Sequence, residues 1–420
     1  MDRGAFGPSA GEWLEPRSPA YRRISAAMFL VGFATFSLIY CVQPVLPQLA
    51  QAFGVSPAQS ALALSLTTGC LAVAILIGGA AAEVLGRRVV MFASMCGAAL
   101  LNIVESQLSG WDALLAARAL EGLVLGGVPA VAIAYLAEEI HPRGLGWSMG
   151  LYVGGTAFGG MIGRVGMGVL TQLTSWRGGL GIIGAVDLLA ALAFLLMAPA
   201  SRHFERQARW HPAWHLAAWR AHLRDACLPR LFAIGFLIMG AFVALYNYLT
   251  FRLVGPPYQL TPTQLSLIFT LYLLGTAASA AAGALSDRIG RESVLLSGIA
   301  LFMAGTLLTL LRPLAWVITG IAIVTIGFFI AHSVASGWVG QRAHHAKGHA
   351  ASLYLLSYYI GSSVLGLAGG WFWLAGAWPA VVGFAGSVVL AAGVTALWLP
   401  RALRRAPQPE PAPSRAGTET

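Results

Sequence analysis

The sequence predicts an all-α membrane protein with 12 transmembrane helices in two pseudo-symmetric six-helix halves. Three observations lead to this prediction. The 420 residues are 57% hydrophobic and only 10% charged, with a mean hydropathy of +0.73, whereas a soluble domain carries about 25% charged residues. Apolar runs of about 20 residues recur along the chain, and that length crosses a bilayer as a helix. A charged segment punctuated by glycine occurs twice, about half a chain length apart.

The clearer copy of this segment is Gly-Ala-Leu-Ser-Asp-Arg-Ile-Gly-Arg at residues 283–291, and the weaker copy begins 204 residues earlier, at Gly79. A repeat of that length in a membrane chain is typical of transporters. Each copy predicts a tight cytoplasmic turn, because glycine permits a positive φ and close helix approach, here at Gly283, and arginine favours the cytoplasmic side. A basic turn that only fixes topology is the alternative. The residues assigned to the two turns are Gly79, Glu83, Gly86, Arg87, Gly283, Asp287, Arg288, Gly290 and Arg291.

Apolar runs bounded by charge, proline or glycine predict the individual spans. In the first half they are residues 24–43, 58–82, 89–107, 112–137, 147–173 and 178–198. In the second half they are residues 231–250, 264–286, 294–311, 314–338, 350–373 and 378–399. Tyr152 recurs as Tyr354, and Trp176 recurs as Trp378, both at a spacing of 202 residues. These pairs support the interpretation that one six-helix unit is used twice.

The distribution of basic residues predicts the orientation, because lysine and arginine collect in cytoplasmic segments. Of the 26, 21 fall on one side of the twelve-span arrangement and only Arg177, Arg252 and Arg312 fall on the other. Both termini are therefore predicted to be cytoplasmic, in an inner membrane of bacterial type. The predicted organisation is a cytoplasmic N-terminal segment 1–23, a six-helix half 24–199, a cytoplasmic connector 200–229, a second six-helix half 230–399 and a disordered cytoplasmic tail 400–420.

Composition and motifs also exclude several functions. The net charge of +10 is explained by the basic residues that collect in the predicted cytoplasmic segments, so no nucleic-acid partner is expected. The four cysteines are scattered and show no spacing typical of a disulfide framework or a metal site. The sequence has no pattern of a nucleotide-binding loop, a zinc protease or a serine nucleophile turn. We therefore expect no enzymatic activity, no cofactor and no metal, and a monomer that contacts the lipid bilayer, a small-molecule substrate and protons.

The pattern Gly-x-Leu-Ser-Asp-Arg-x-Gly-Arg resembles the signature loop of the major facilitator superfamily, found between helices 2 and 3 and again between helices 8 and 9. The second copy matches closely, whereas the first has Glu83 and Val84 in place of the aspartate and arginine. The resemblance covers about residues 24–399 and is greatest to twelve-helix efflux permeases, which include drug/proton antiporters and arabinose-efflux-like proteins. It implies the major facilitator fold and alternating access. Asp287 is then expected to hold the halves together when the cytoplasmic side is closed.

Charges inside the predicted spans are the strongest functional candidates, because an unpaired charge in hydrocarbon is costly. Arg118 and Glu121 share one helix face, and Arg118-x-x-Glu121-Gly122 resembles the superfamily's fourth-helix motif, whose arginine is linked to proton coupling or to binding of a substrate anion. Asp187 lies near the middle of the sixth span. We predict that Arg118, Glu121 and Asp187 couple transport to protons. The alternatives are a self-neutralising pair that only locks helix packing and, for Asp187, a structural pairing with Arg164.

Residues 155–160 resemble the antiporter motif of the fifth helix, Gly-Pro-x-x-Gly-Gly, with Thr156 in place of the proline. Tight helix crossing is the alternative role for these glycines. In the resembling fold the first helices of each repeat line a central cavity, and polar or aromatic residues there are candidates for substrate contact, with interfacial packing as the alternative. The predicted substrate-binding residues are Tyr40, Gln43, Arg164, Tyr246, Asn247, His332 and Tyr358.

The function predicted from these features is secondary active transport, with proton-coupled efflux of a small organic molecule such as a drug, sugar or metabolite. The proton gradient is the expected energy source. Thr156 favours the alternative of an importer or a facilitative exchanger of a small metabolite. A receptor or scaffold with a transporter fold is an alternative from a different class.

Overall fold

A computed structural model gives the structure of residues 13–16, 18–199, 201, 212–343 and 345–399. These residues form helices, turns and short irregular connections, apart from one isolated bridge between Leu14 and Ile140. The prediction of an all-α membrane protein is confirmed. Residues 1–12 of the predicted N-terminal segment and the tail 400–420 lie outside the described residues.

The helices follow the predicted order. In the first half they are Pro19–Tyr40 (α1), a 3₁₀ turn Gln43–Val45, Leu46–Phe53 (α2), Pro57–Ser60 (α3), Leu62–Leu85 (α4), Arg87–Glu105 (α5), Trp111–Leu125 (α6), Gly127–Glu139 (α7), Pro142–Leu173 (α8) and Trp176–Met197 (α9). The connector contains Pro212–Arg224 (α10). In the second half they are Leu228–Val254 (α11), Pro262–Leu267 (α12), a 3₁₀ turn Ile268–Leu271, Tyr272–Ile289 (α13), Arg291–Leu308 (α14), Leu314–Arg342 (α15) and Lys347–Leu397 (α16).

The number of membrane crossings agrees with the prediction of twelve. Within the described ranges, ten helical stretches are long and apolar enough to cross a membrane. One of them, α16, has 51 residues and changes direction at Gly376 and Ala377, where the backbone is not helical, so it contains the last two predicted spans. Helix α8 has 32 residues, about 48 Å at 1.5 Å per residue, and supplies the fifth span.

Several helices do not begin or end where the predicted spans do, because charge was used to mark the span ends. Helix α1 starts at Pro19, five residues before the predicted start, and includes Arg22 and Arg23. Its start is set by the Ser18 hydroxyl, which accepts a hydrogen bond from the backbone N–H of Tyr21 at 3.1 Å, and by proline in the first turn. Capping chemistry therefore decides where the helix begins, and the two arginines lie on its first turns.

Two pairs of glycines reveal the internal repeat in the backbone itself. Gly86 and Gly290 end α4 and α13 with nearly the same conformation, φ 92° and ψ 139° against φ 86° and ψ 145°. This is the positive φ that the signature turns predict. Gly159 and Gly361 form matching helix crossings, since a methyl group added to either would lie 2.1 Å from the carbonyl oxygen of a phenylalanine on the first helix of its half. The same packing is thus built twice.

These crossings predict a stability effect. Gly159→Ala and Gly361→Ala should each destabilise the protein by about 1–3 kcal/mol, because the backbones must move apart to admit a methyl group. The thermal unfolding temperature of the purified protein should fall for both. Gly146→Ala is the matched control, since nothing lies within 4 Å of a methyl group at that position on α8. Equal unfolding temperatures for all three variants would contradict the close crossings.

The two halves contact each other at one end of the bundle. We call the end that carries Gly86 and Gly290 the turn end and the opposite end the far end. At the far end Ser363 donates a hydrogen bond to the Ser65 carbonyl oxygen at 2.7 Å, and Ser266 donates one to the Val165 carbonyl oxygen at 3.3 Å. Among described residues, no hydrogen bond joins the halves at the turn end. With the predicted orientation, this conformation is open to the cytoplasm.

Two of the three basic residues predicted outside the cytoplasm have a structural role at the far end. Arg177 donates to the carbonyl oxygen of Leu108, just after α5, and Arg252 donates to that of Thr309, just after α14. The helices α5 and α14 are equivalent in the repeat. A guanidinium at a helix C-terminus is favourable, because it satisfies carbonyl groups that have no partner in the helix and complements the helix dipole. These exceptions to the charge distribution are therefore helix caps.

The connector helix α10 packs on the turn end of the second half. His215 and His349 ring nitrogens lie 2.9 Å apart, and Asp225, just after α10, forms an ion pair with Arg342 at 3.2 Å. Trp214 on the same helix is 57% exposed. The predicted connector therefore contains a helix over Pro212–Arg224. Residues 202–211 lie outside the described part of the chain.

Candidate functional site

The predicted pair of Arg118 and Glu121 is formed, and a third charged residue joins it. The Arg118 Nη1 group contacts the carboxylate of Glu121, one turn along α6, and lies 3.5 Å from the carboxylate of Glu105. All three side chains are 0% exposed. Arg118 also donates to the backbone carbonyl oxygens of Ala63 at 2.9 Å and Ile39 at 3.0 Å. The guanidinium thus ties α1, α4 and α5 to α6, and its charge is fully compensated.

Glu105 is a member of this cluster that the sequence analysis missed. It is the last residue of α5 and lies only two residues before the predicted end of the third span. The turn after α5 brings this end of the helix against α6, which buries the carboxylate beside Arg118. The signal was available, because a carboxylate inside a predicted span is costly unless it has a partner.

Asp187, the third predicted proton-coupling residue, is buried on α9 near the same cluster. It is close enough to Glu121 to interact electrostatically. The Ser37 side chain lies beside it, but the geometry falls short of a hydrogen bond, and neither carboxylate oxygen has a partner among the described residues. Those residues include no ion pair between Asp187 and Arg164, so the predicted alternative pairing is absent in this conformation. Two buried carboxyl groups therefore pair with one guanidinium, and a third lies near them without a partner in the described chain.

Arg164 forms a second site, at the boundary between the two halves. It is 2% exposed on α8, and its Nε donates to the Gln43 side-chain oxygen at 2.6 Å while its Nη1 donates to the Gly160 carbonyl oxygen at 2.6 Å. The Gln43 amide in turn donates to the Asn247 side chain at 2.8 Å. Gln43 and Asn247 are 204 residues apart, which is the period of the repeat, so equivalent positions of the two halves meet on the pseudo-twofold axis. Arg164 has no carboxylate partner in the described chain.

Aromatic rings enclose this guanidinium. The Cζ atom of Arg164 lies 4.1 Å from the ring centroid of Tyr40, 4.7 Å from that of Tyr272 and 5.3 Å from that of Phe269. Cation–π contacts of this kind stabilise a buried positive charge without neutralising it. Tyr40 was predicted for the site, whereas Tyr272 and Phe269 were not. They lie on the eighth span, and the prediction drew its aromatic candidates from spans one, seven, ten and eleven.

The remaining predicted substrate-binding residues lie in the second half beside this site. Tyr246 is fully buried, bonds to the Thr325 hydroxyl at 2.7 Å and stacks against Phe269 at a centroid distance of 5.3 Å. His332 and Tyr358 have ring centroids 4.7 Å apart. Tyr246 thus packs behind the guanidinium site, whereas His332 and Tyr358 are only half-buried.

An apolar cavity of about 410 Å³ lies beside the site, between α1, α8 and α13. Tyr272 lines the cavity and also contacts Arg164, so the guanidinium lies next to the cavity wall. The other lining residues are Phe29, Gly150, Leu151, Gly154, Ala157, Phe158, Met161, Leu273 and Thr276. The arrangement can receive a molecule with an apolar body and place one end of it near a buried positive charge.

The sequence profile of the Major Facilitator Superfamily matches residues 28–255 and 242–419. The chain belongs to this superfamily. It is 42% identical to the uncharacterised transporter YybF of Bacillus subtilis, over 94% of this chain and 96% of YybF, and 42% identical to the inner membrane transport protein YnfM of Escherichia coli, over 89% of each chain. A bacterial homologue of the human lysosomal transporter Spinster, in an inward-facing and occupied conformation, has the same fold, with a TM-score of 0.70, 13% identity and coverage of 92% of this chain and 96% of that one.

Membership of the Major Facilitator Superfamily establishes the class of activity. The protein is a multi-pass transporter of the inner membrane and takes a small-molecule substrate. It is therefore a transporter and not an enzyme, as the sequence predicts.

The superfamily's signature turns are placed as predicted but are open in this conformation. In the first turn Arg87 forms an ion pair with Glu138 at the end of α7. In the second turn Asp287 and Arg288 are exposed, and Asp287 has no ion pair or hydrogen bond with a described residue. The expected close helix approach at Gly283 is wrong for this conformation, because nothing lies within 4 Å of a methyl group there. The halves are apart at this end.

Three further residues were assigned to the two signature turns, namely Arg291, Gly79 and Glu83. Arg291 is half-buried at the start of α14, beside the cavity that Gly283 lines. Gly79 and Glu83 belong to α4, and their side-chain positions lie outside the described part of the structure. The proposed holding role of Asp287 remains a prediction.

Proposed function

We propose that the protein exports a small organic molecule in exchange for protons. The observation that carries this proposal is the excess of buried carboxyl groups, because Glu105 and Glu121 share the single guanidinium of Arg118, and Asp187, buried near them, has no partner among the described residues. One ionised carboxylate suffices to neutralise Arg118. Each further ionised carboxylate would add an uncompensated negative charge in a medium of low dielectric constant. The remaining carboxyl groups therefore hold protons in this conformation.

Alternating access supplies the step that releases these protons. In the conformation described here the halves separate at the turn end, and the predicted orientation exposes this end to the cytoplasm. When the turn end closes and the far end opens, the cluster is exposed to water on the other side of the membrane. The distances between Arg118 and its carboxyl partners change in the same step. A proton bound in one state and released in the other couples substrate movement to the proton gradient. Substrate loaded from the cytoplasmic side then leaves at the far end.

One observation favours a second candidate function, uptake or facilitated exchange of a small metabolite. Where the antiporter motif of the fifth helix has proline, this chain has Thr156, whose hydroxyl donates to the Val153 carbonyl oxygen at 2.7 Å. Helix α8 is consequently unbroken from Pro142 to Leu173, whereas a proline there would remove a backbone hydrogen bond and bend the helix. A receptor or scaffold role is disfavoured, because it needs neither the cavity nor the buried carboxyl groups.

The two candidates differ in proton movement, which can be measured in everted vesicles that contain the overproduced protein. A panel of organic compounds is added while internal pH is followed with a fluorescent dye, and a transported compound should release protons from the acidified interior. Asp187→Asn should reduce this release strongly while the membrane level of the protein stays the same, because an amide cannot carry a proton. Transport by the parent without proton movement would favour the facilitative alternative.

A further inference from the structure

We infer that the transported molecule is an amphiphilic organic anion, with one anionic head bound by Arg164 and an apolar body in the cavity between α1, α8 and α13. The inference concerns what the site binds, and it rests on the proposed function only in treating the bound molecule as cargo. Two separate observations carry it: the uncompensated charge of one buried arginine and the chemistry of the cavity beside it.

The two buried arginines of the first half differ in their charge balance. Arg118 is paired with Glu121 and Glu105, so it offers no positive charge to a substrate. Arg164 is equally buried but contacts only neutral groups, namely an amide, a backbone carbonyl oxygen and aromatic rings. An isolated charge in a membrane protein is costly unless something compensates it. A bound anion would provide that compensation, and a bound cation would increase the cost.

The guanidinium also has donor capacity left for a ligand. Its Nε and Nη1 groups are used by Gln43 and Gly160, while Nη2 forms no hydrogen bond with a described residue. A carboxylate is the favoured partner of such a group, because the planar fork matches its two oxygens and charge-assisted hydrogen bonds are stronger than neutral ones. Gly160 keeps the space around the guanidinium open, since a methyl group there would lie 3.2 Å from Nη1.

The chemistry of the cavity walls indicates what the rest of the bound molecule is. Its walls are formed mainly by Phe29, Phe158, Met161 and Leu273, and Tyr272 connects it to the guanidinium. A volume of about 410 Å³ falls in the range of small-molecule sites. The mainly apolar walls favour an aromatic or aliphatic body, and the hydroxyl groups of Tyr272 and Thr276 are too few to replace the hydrogen bonds that a sugar makes with water. The site therefore fits an apolar molecule with a single anionic end.

A matched set of three probes tests the charge requirement. The purified protein in lipid nanodiscs is titrated with 2-naphthylacetate, with 2-naphthylethanol and with 2-naphthylethyl-trimethylammonium, and naphthalene fluorescence reports binding. We expect the anion to bind at least about tenfold more tightly than the alcohol or the cation, as a charge-assisted contact implies. Arg164→Gln should remove this preference for the anion. Arg177→Gln is the matched control and should keep the preference, because Arg177 also lies over an aromatic ring but caps a helix at the far end. Equal binding of all three probes by the parent would overturn the inference.

A second pair of variants tests the position of the apolar body without touching Arg164. Gly154 lines the cavity and has nothing within 4 Å of an added methyl group, so Gly154→Leu should fill the cavity without strain. It should weaken binding of 2-naphthylacetate strongly. Gly146→Leu, on the same helix, equally open and outside the cavity lining, should leave binding unchanged. Full binding to Gly154→Leu would place the body elsewhere and overturn this part of the inference.

The inference about the ligand and the proposed proton coupling can be disproved independently of each other. If the anion binds selectively but its movement across vesicle membranes is independent of protons, the proposed coupling is wrong and the inference about the ligand stands. If proton-coupled transport is found only for neutral or cationic compounds, the ligand class is wrong and the proposed function stands.

Discussion

Glu121→Gln should give a protein that still exchanges substrate across the membrane but no longer responds to a pH gradient. Glutamine keeps the size of the side chain and can accept a hydrogen bond from Arg118, so the contact between the two residues is largely preserved. Glu105, 3.5 Å from the guanidinium, can then neutralise Arg118 by being ionised. The fold should therefore persist, while the proton that Glu121 carries is lost. In proteoliposomes, the transport rate with a pH gradient should fall to the rate without one, and counterflow should continue.

Two matched variants show whether this effect belongs to Glu121 itself. Asp112→Asn removes a carboxylate from the first turn of the same helix, where it is exposed, and should leave the response to the gradient unchanged. Glu105→Gln tests the second partner of Arg118. If Glu105→Gln alone abolishes the response and Glu121→Gln does not, the proton site is Glu105 and the assignment of Glu121 is wrong. If neither changes it, the cluster only stabilises helix packing.

The helices and their pairing in two halves were predictable, because the membrane imposes one length and one composition on every span. The ends of the spans were less predictable. Ser18 and Pro19 start α1 through local capping, and the break between α6 and α7 falls at Gly126, where an added methyl group would overlap the side chain of Ala74. Such helix ends depend on capping and on contacts with other helices, and a count of apolar residues along the chain does not predict these contacts.

The candidate site was predictable in its residue types but not in its contacts. Arg164 was selected as a charge inside a span, whereas Gln43 and Asn247 were selected as polar residues on helices that line the cavity in the resembling fold. Their hydrogen-bonded chain joins residues 121 and 204 positions apart, and no local pattern encodes which of them meet. Arg118 and Arg164 have the same chemistry in the sequence. Only the structure separates them, by placing Glu105 beside Arg118 and aromatic rings around Arg164.

A cross-link between the halves at positions 69 and 363 should stop transport. A Cβ atom built on Gly69 of α4 lies 3.4 Å from the Cβ atom of Ser363 on α16, close to the separation of about 3.5–4.5 Å that a disulfide requires. Gly69→Cys with Ser363→Cys should therefore oxidise readily in this conformation. The bond would hold the far end closed, so the halves could not rock, and transport should fall in proportion to the cross-linked fraction and recover with a reductant.

The background for this experiment lacks the four native cysteines, because Cys70 lies next to position 69 and could compete for the new partner. Each single cysteine variant serves as a control for the effect of the substitution and of the oxidant. Positions 69 and 363 are not part of the cavity lining, so binding of a ligand in the cavity should survive in the cross-linked protein while its release at the far end does not. Loss of transport with retained binding therefore identifies the separation of α4 from α16 as the step that opens the far end. Full transport at complete cross-linking would show that these helices stay together throughout the cycle and would exclude rocking of the two halves as rigid bodies.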